Sequence, residues 1–243
     1  MRLVVSRAPL VAKHLLSAAP LVATHVLSAA APFAVALCLA AVAGCQSDIV
    51  TQFPDGLIPI EANTATPPAA TDTEEFPQTR NIVSGDDDGG AWLHAYGYIH
   101  APIEAVWEAY QVPEVVIDRR PLTSFSTTFD VEDEYDVSFK VRYVIEDLVT
   151  VTFDVIWRES AVEGTVDAPI RVVVAYQKVW GSSFSRRVAG TIELLKIAPD
   201  VTQISWVMRL DATSTDSGDL VSWNADQFTN VLRHLRGEPL LTF

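Results

Sequence analysis

The sequence predicts an α+β domain in which a bent antiparallel sheet of about seven strands carries short helices after its first strand and a long C-terminal helix over its concave face. Three observations predict it. Several segments between 91 and 236 alternate apolar and polar residues with the period of a strand. Residues 101–110 and 214–238 instead carry an apolar stripe at helical spacing. Turn-forming residues separate these segments.

The domain opens with a strand at 91–100, where aromatic and small residues are mixed. The period then changes, because apolar residues from Ile103 to Tyr110 recur at the spacing of one helix face. Pro102 suits the first helical position, and Pro113 ends this short helix.

The clearest sheet signal comes from two neighbouring segments, 135–147 and 148–160. Every second residue is apolar in both, which predicts strands with one buried and one solvent-facing side. The turn at Glu146–Leu148 is short, so we expect the two strands to pair as a hairpin. A weaker strand precedes them at 126–133. Three further strands are predicted at 170–180, 186–197 and 202–212.

The longest helix is predicted at 214–238. Its apolar residues from Val221 to Leu235 recur in alternating steps of four and three, which gives one continuous stripe. Asp216 can cap its N-terminus, and Gly237 follows its C-terminus.

The segment GYIHAPIEAVWEAYQVPE (97–114) resembles the opening of the helix-grip superfamily, which includes START lipid-binding domains and polyketide cyclases (SRPBCC). It has an opening strand, an Ala-Pro helix start, a Val-Trp pair and a short break. The order of elements extends this resemblance over nearly all of 91–236, and the predicted START-like domain spans 90–238. The resemblance implies a hydrophobic cavity but no particular reaction. A nuclear-transport-factor-like cone and a lipocalin barrel are the alternative folds.

Residues 1–44 have the features of an export signal. They contain three basic residues and no acid, and their apolar stretch from Ala31 to Val42 is shorter than the ~20 residues that span a bilayer. A permanent membrane helix is the alternative interpretation.

The sequence Val42-Ala43-Gly44-Cys45 resembles the bacterial lipobox. The resemblance implies cleavage before Cys45 and acylation of its thiol, which would leave an exported lipoprotein anchored in the membrane and facing the periplasm or cell surface. The only other cysteine, Cys38, would be removed with the signal, so no internal disulfide is expected. Gln46 stands where enterobacterial lipoproteins that stay in the inner membrane have Asp, so the outer membrane is favoured. An ordinary signal peptide is the alternative.

Residues 45–89 are rich in Pro, Thr and Ala without periodicity, which predicts a disordered tether. The run SGDDDGG (84–90) could form a calcium loop or a solvated turn, and the missing EF-hand ligand pattern favours the turn. Residues 239–243 are predicted to be a tail.

The charge of the chain limits its partners. The formal net charge is −14, and because residues 1–44 contribute +3, the remaining 199 residues carry −17. Such a charge argues against binding to nucleic acid and to an anionic lipid surface.

The sequence predicts no catalytic constellation, metal site or cofactor, and it identifies no protein partner. His94 and His100 would lie too far apart along one strand to share a metal, and His234 sits at a helix end. Alternation places the strand carboxylates Asp136 and Asp154 on the solvent face.

The inward faces instead hold large apolar side chains. The predicted candidates for a ligand cavity are Tyr135, Phe139, Tyr143, Phe153, Trp157, Tyr176, Trp206, Met208, Trp223 and Phe228. They favour a lipid-anchored envelope protein that binds or carries a hydrophobic small molecule, such as a lipid. An envelope enzyme of cyclase or hydrolase type and a structural lipoprotein with a filled core are the alternatives.

Overall fold

The computed structural model describes residues 48–243, which form eight strands and three helices. The strands are β1 Arg80–Asp87, β2 Gly90–Ile99, β3 Ser124–Phe129, β4 Val137–Glu146, β5 Thr150–Thr165, β6 Ala168–Gly181, β7 Ser185–Ala198 and β8 Val201–Ala212. The helices are α1 Ile103–Tyr110, α2 Pro113–Val116 and α3 Ser217–Leu235. The predicted α+β helix-grip class is confirmed, with eight strands in place of about seven.

All eight strands belong to one antiparallel sheet in the order β1-β2-β8-β7-β6-β5-β4-β3. The strands from β3 to β8 follow one another as hairpins, and β2 pairs with β8 to bring the two ends of the sequence together. The predicted hairpin of β4 and β5 is confirmed, with Tyr143 opposite Phe153.

An irregularity bends the long strands β5 and β6. Their register shifts between Asp154 and Val155, and Gly181 at the end of β6 has φ +117°. A Cβ atom on Gly181 would lie 2.3 Å from the carbonyl oxygen of Thr152, so only glycine allows this close approach.

The core lies between the inner face of the sheet and the helices. The Phe228 ring of α3 meets Trp206 of β8 at 6.2 Å, and Trp223 of α3 meets Tyr176 of β6 at 5.5 Å. Asp216 caps α3, as predicted, because its side chain accepts a hydrogen bond from the Gly218 amide at 2.7 Å.

The region predicted to be a tether contains the strand β1, so that prediction is wrong for residues 80–87. Within the SGDDDGG run, Asp86 accepts hydrogen bonds from the backbone amide and hydroxyl of Ser217, at 3.0 Å and 2.9 Å. The run therefore ties the first hairpin to the start of α3.

Residues 48–67, which we call the N-terminal strap, also differ from the predicted disordered tether. They cross the outer face of the sheet and are hydrogen-bonded to it. The Asn63 side-chain amide donates to the carbonyl oxygens of Ala95 and Trp206, at 3.0 Å and 3.2 Å. Arg158 donates to the carbonyl oxygen of Pro54 at 2.8 Å. The strap thus joins strands β2, β8 and β5.

Glu61 makes the closest charged contacts of the strap. Its carboxylate meets Arg209 at 2.7 Å and the Nε2 atom of His94 at 2.9 Å. The Thr64 amide donates to Nδ1 of His94 at 3.2 Å, so in the neutral ring Nε2 carries the proton and donates to Glu61. Hydrogen bonding by Arg209 holds the pKa of Glu61 below its ordinary value.

The chain end also contacts the domain, because the Leu241 amide donates to Oδ1 of Asn230 at 2.9 Å. None of the helices formed by residues 48–243 is long and apolar enough to cross a membrane. The predicted signal at 1–44 and the predicted lipidation at Cys45 lie outside the described residues and stay predictions.

Candidate functional site

A cavity of about 750 Å³ opens at one end of the sheet. Four connections meet there: the loop from α2 to β3, the β4–β5 turn, the β6–β7 turn and the loop from β8 to α3. The lining residues from the strands and their turns are Tyr143, Ile145, Asp147, Leu148, Val149, Val151, Phe153, Phe184, Ser185, Val188, Leu210 and Ala212. The remaining lining residues are Asp118, Arg120, Pro121, Leu122, Thr213, Ser214, Thr215, Asp219 and Trp223.

The inner wall of the cavity is apolar. Tyr143 and Phe153 stack across the β4–β5 pair with their ring centroids 4.8 Å apart. Val188 and Leu210 continue this wall on β7 and β8, where they are cross-strand partners. Burial raises the pKa of the Tyr143 hydroxyl, so this group stays neutral.

The charged groups at the cavity edge largely pair with one another. Arg120 contacts Asp118 at 2.6 Å and Asp226 at 3.3 Å. Arg120 also donates to the carbonyl oxygen of Asp219 at 3.0 Å. Because these contacts already engage the guanidinium group, the site favours an uncharged or weakly polar ligand over an anion.

The structure divides the ten predicted cavity residues into three groups. Tyr143, Phe153 and Trp223 line the cavity. Six others are buried in the core and are absent from the lining: Phe139, Trp157, Tyr176, Trp206, Met208 and Phe228. Tyr135 precedes β4, and its ring packs 5.0 Å from the guanidinium of Arg158 on the outer face, so its predicted inward orientation is corrected.

Stacked aromatic rings fill the deep interior. Phe139 stacks on Trp157 at 5.7 Å, and Trp157 stacks on Tyr176 at 4.4 Å. The Tyr176 ring lies over Gly190 on the neighbouring strand, where a Cβ atom would be 2.3 Å from the tyrosine oxygen. The absent side chain of Gly190 therefore makes room for the ring.

A buried carboxyl group, Glu159, was missed by the sequence prediction. It lies on the inner face of β5, two residues beyond Trp157, and its exposed fraction is 0%. Trp107 donates to its Oε2 atom at 2.7 Å, whereas Oε1 has no hydrogen-bond partner among residues 48–243. Burial raises the pKa of Glu159 to about 8. Strand alternation predicted that Phe153 and Trp157 point inward. The next inward position on the same strand is Glu159, so continuing the alternation by two residues would have found this carboxyl group.

Trp206 takes part in a polar network between the sheet and the helices. Its indole N–H donates to Gln227 at 2.8 Å and to the Tyr110 hydroxyl at 3.1 Å. Gln227 in turn donates to the carbonyl oxygen of Val116 at 3.0 Å. These contacts give Trp206 a structural role.

The three histidines among residues 48–243, His94, His100 and His234, lie away from the cavity lining. His94 is bonded to the strap, as described above, and His100 Nε2 lies 2.7 Å from the carbonyl oxygen of Phe76. The described residues contain no group of three or more His, Cys, Asp or Glu side chains placed to hold a metal ion.

No family model and no curated protein match this sequence. Several solved structures are similar in fold. The lipid transfer and protein localization domain of human StarD13 has 12% identity and a TM-score of 0.46, covering 74% of this chain and 91% of that one. A STAR-related lipid transfer protein fragment from Xanthomonas axonopodis has 11% identity and a TM-score of 0.43, covering 66% and 93%.

The Zhui aromatase/cyclase from Streptomyces sp. R1128 is also similar, with 11% identity and a TM-score of 0.37, covering 65% of this chain and 93% of that one. Because the sequence identities and TM-scores are this low, none of the three similar structures supports a conclusion about a ligand of this chain.

Proposed function

We propose that this chain is a lipid-anchored bacterial envelope protein that binds or carries a hydrophobic small molecule in the cavity beside Tyr143. The observation that carries the proposal is an apolar cavity of about 750 Å³ that is large enough for a lipid-sized ligand. Its neutral Tyr143 hydroxyl can orient one polar group of such a ligand.

The anchor part of the proposal is supported by the sequence VAGC at 42–45, which resembles a lipobox and follows an apolar stretch. Acylation at Cys45 would hold the domain at a membrane, where apolar ligands concentrate. The outer membrane is favoured as its location.

The packed core supports one alternative, a structural lipoprotein with a filled interior. Phe139, Trp157 and Tyr176 do fill the deep part of the fold. Such a protein has no need for the open apolar cavity at the sheet end, however, and this cavity favours the binding function.

Native mass spectrometry of the full chain purified from bacterial membranes tests the binding function. We expect a co-purifying apolar molecule at one copy per chain, with a lower occupancy in Leu210→Trp, which fills part of the cavity. The proposal would be contradicted if Leu210→Trp bound the apolar molecule at the same occupancy as the parent chain. It would also be contradicted if no such molecule co-purified with the parent chain.

Metabolic labelling with a palmitate analogue tests the anchor separately. We expect the parent chain to be labelled and Cys45→Ser to be unlabelled. An unlabelled parent chain would remove the lipid anchor from the proposal but would leave the cavity-binding result unaffected.

A further inference from the structure

Three exposed apolar side chains surround the mouth of the cavity. Leu148 is 97% exposed, Val149 is 45% exposed and Phe184 is 39% exposed, and all three line the cavity. We call them the apolar rim. Exposed apolar groups that continue into an apolar cavity mark an interaction surface, because they gain stability when another apolar phase covers them.

The N-terminal strap begins beside this rim. Asp48 forms an isolated bridge with Ser182, and the Ile49 amide donates to the carbonyl oxygen of Gly181 at 2.8 Å. Ser182 opens the turn that carries Phe184. The start of the described chain is therefore bonded to the same turn that forms part of the rim.

A buried lysine fixes this turn. The Lys178 ammonium donates to the carbonyl oxygens of Gly181 and Ser182, at 3.2 Å and 3.0 Å. Desolvation lowers the pKa of Lys178, whereas the nearby negative charge of Asp48 raises it. The attraction between these two charges reinforces the backbone contacts that hold Asp48 at the rim.

The distance from Asp48 to the predicted lipidation site is short. Only three residue steps separate Asp48 from Cys45, which span at most about 11 Å when fully extended. Acyl chains on Cys45 would therefore enter a bilayer close to the apolar rim. A flexible tether of about 45 residues, as the sequence predicted, would have left the orientation of the domain free.

We propose that the apolar rim contacts the bilayer that holds the anchor, so that the cavity mouth faces the membrane and an apolar ligand can pass between the two without crossing water. This inference rests on the proposed function, because it uses the anchor at Cys45. Glu146 and Asp147 adjoin Leu148 in sequence, so the rim suits a zwitterionic bilayer better than an anionic one.

Fluorescence quenching in vesicles tests this orientation. The full chain carrying Leu148→Cys is labelled with an environment-sensitive nitrobenzoxadiazole group and reconstituted in phosphatidylcholine vesicles that contain a nitroxide lipid. Val166→Cys is the matched control, because Val166 is 54% exposed and lies in the β5–β6 turn, far along β5 from the cavity. The parent chain, treated in parallel, gives the background from its own cysteines.

We expect the nitroxide lipid to remove most of the emission of the Leu148→Cys label and little of the Val166→Cys emission, which aqueous iodide should quench instead. Vesicle-bound chains with the same lipid quenching at both sites would overturn the orientation while leaving the anchor and the cavity intact. If the chain fails to bind the vesicles, the orientation is overturned together with the anchor, whereas ligand occupancy in the cavity is measured independently.

Discussion

Glu159 is a carboxyl group enclosed by apolar side chains of the core, and within residues 48–243 its one hydrogen-bond donor is the indole N–H of Trp107. An ionised carboxylate there would lose its hydration with little compensation, which is the reason its pKa rises to about 8. In the unfolded chain the same group ionises near its ordinary pKa of 4.5.

Glu159→Gln is expected to change how stability depends on pH. Between pH 4.5 and pH 8 the unfolded parent chain loses this proton while the folded chain keeps it, so rising pH favours unfolding across this window. Glutamine removes this effect and should raise the free energy of unfolding above pH 8 by an amount on the order of 5 kcal/mol, with little change below pH 4.5. Chemical denaturation at several pH values measures it.

The matched control for this test is Glu163→Gln, a change at an exposed residue of the same strand. Its stability curve should run parallel to that of the parent chain. If the Glu159→Gln curve were also parallel to the parent, the buried carboxyl would not be neutral in the folded protein.

Tyr176 and Gly190 make a second residue-scale test, because the tyrosine ring occupies the space of a side chain on Gly190. Gly190→Ala should lower the free energy of unfolding by about 1–3 kcal/mol through overpacking. Tyr176→Phe should leave stability equal or higher, since the buried hydroxyl has no hydrogen-bond partner in the described part of the chain. Thermal denaturation compares the stability of the two variants. A Gly190→Ala variant as stable as the parent chain would show that the Tyr176 ring can move away from the added methyl group.

At the scale of elements, the N-terminal strap is held by a few polar contacts, of which those of Asn63 reach two neighbouring strands. Asn63→Ala should reduce the local stability of the strap by about 2 kcal/mol, because two carbonyl oxygens lose their donor. The amide hydrogen exchange of residues 48–67 should become faster by the factor that corresponds to this loss of local stability. The exchange rates of the core strands should stay the same.

Thr71→Ala is the control for the strap, because the side-chain contacts of Thr71 stay within a short exposed loop outside it. Its exchange pattern in the strap should match that of the parent chain. Unchanged exchange in Asn63→Ala would mean that the amide contacts do not hold the strap on the sheet.

Strand periodicity was sufficient to predict the sheet and much of its inner face. It placed Phe139, Phe153 and Trp157 inward, and their stacked rings lie there. The strap could not be predicted in this way, because Asn63 contacts backbone oxygens, which every residue carries. A segment bound through such contacts has no apolar period to reveal it.

The extent of the cavity was equally hidden from the sequence. Inward-facing Tyr176 and Tyr143 are equivalent in pattern, yet Tyr176 is covered by Trp223 and packed on Gly190, whereas Tyr143 lies near the open end. Which aromatic residues fill the core and which line the cavity depends on where α3 crosses the sheet. That position follows from tertiary packing and not from local periodicity.

At the scale of the whole molecule, an eight-stranded sheet and its closing helix pack tightly along most of their length and separate at one end. The same end carries the apolar rim and the start of the strap. The central claim is that this opening binds an apolar ligand.

Photo-crosslinking with a diazirine-bearing fatty acid in membranes that contain the full chain tests this claim most directly. We predict that the label reaches Phe153 and Trp223, which line the cavity but are only 6% and 4% exposed. Val151→Trp, within the cavity, should reduce this labelling by about tenfold, equivalent to 1.4 kcal/mol of binding free energy. Val162→Trp, on the same strand outside the lining, should leave it unchanged. Labelling confined to exposed residues, or equal in both variants, would contradict the account.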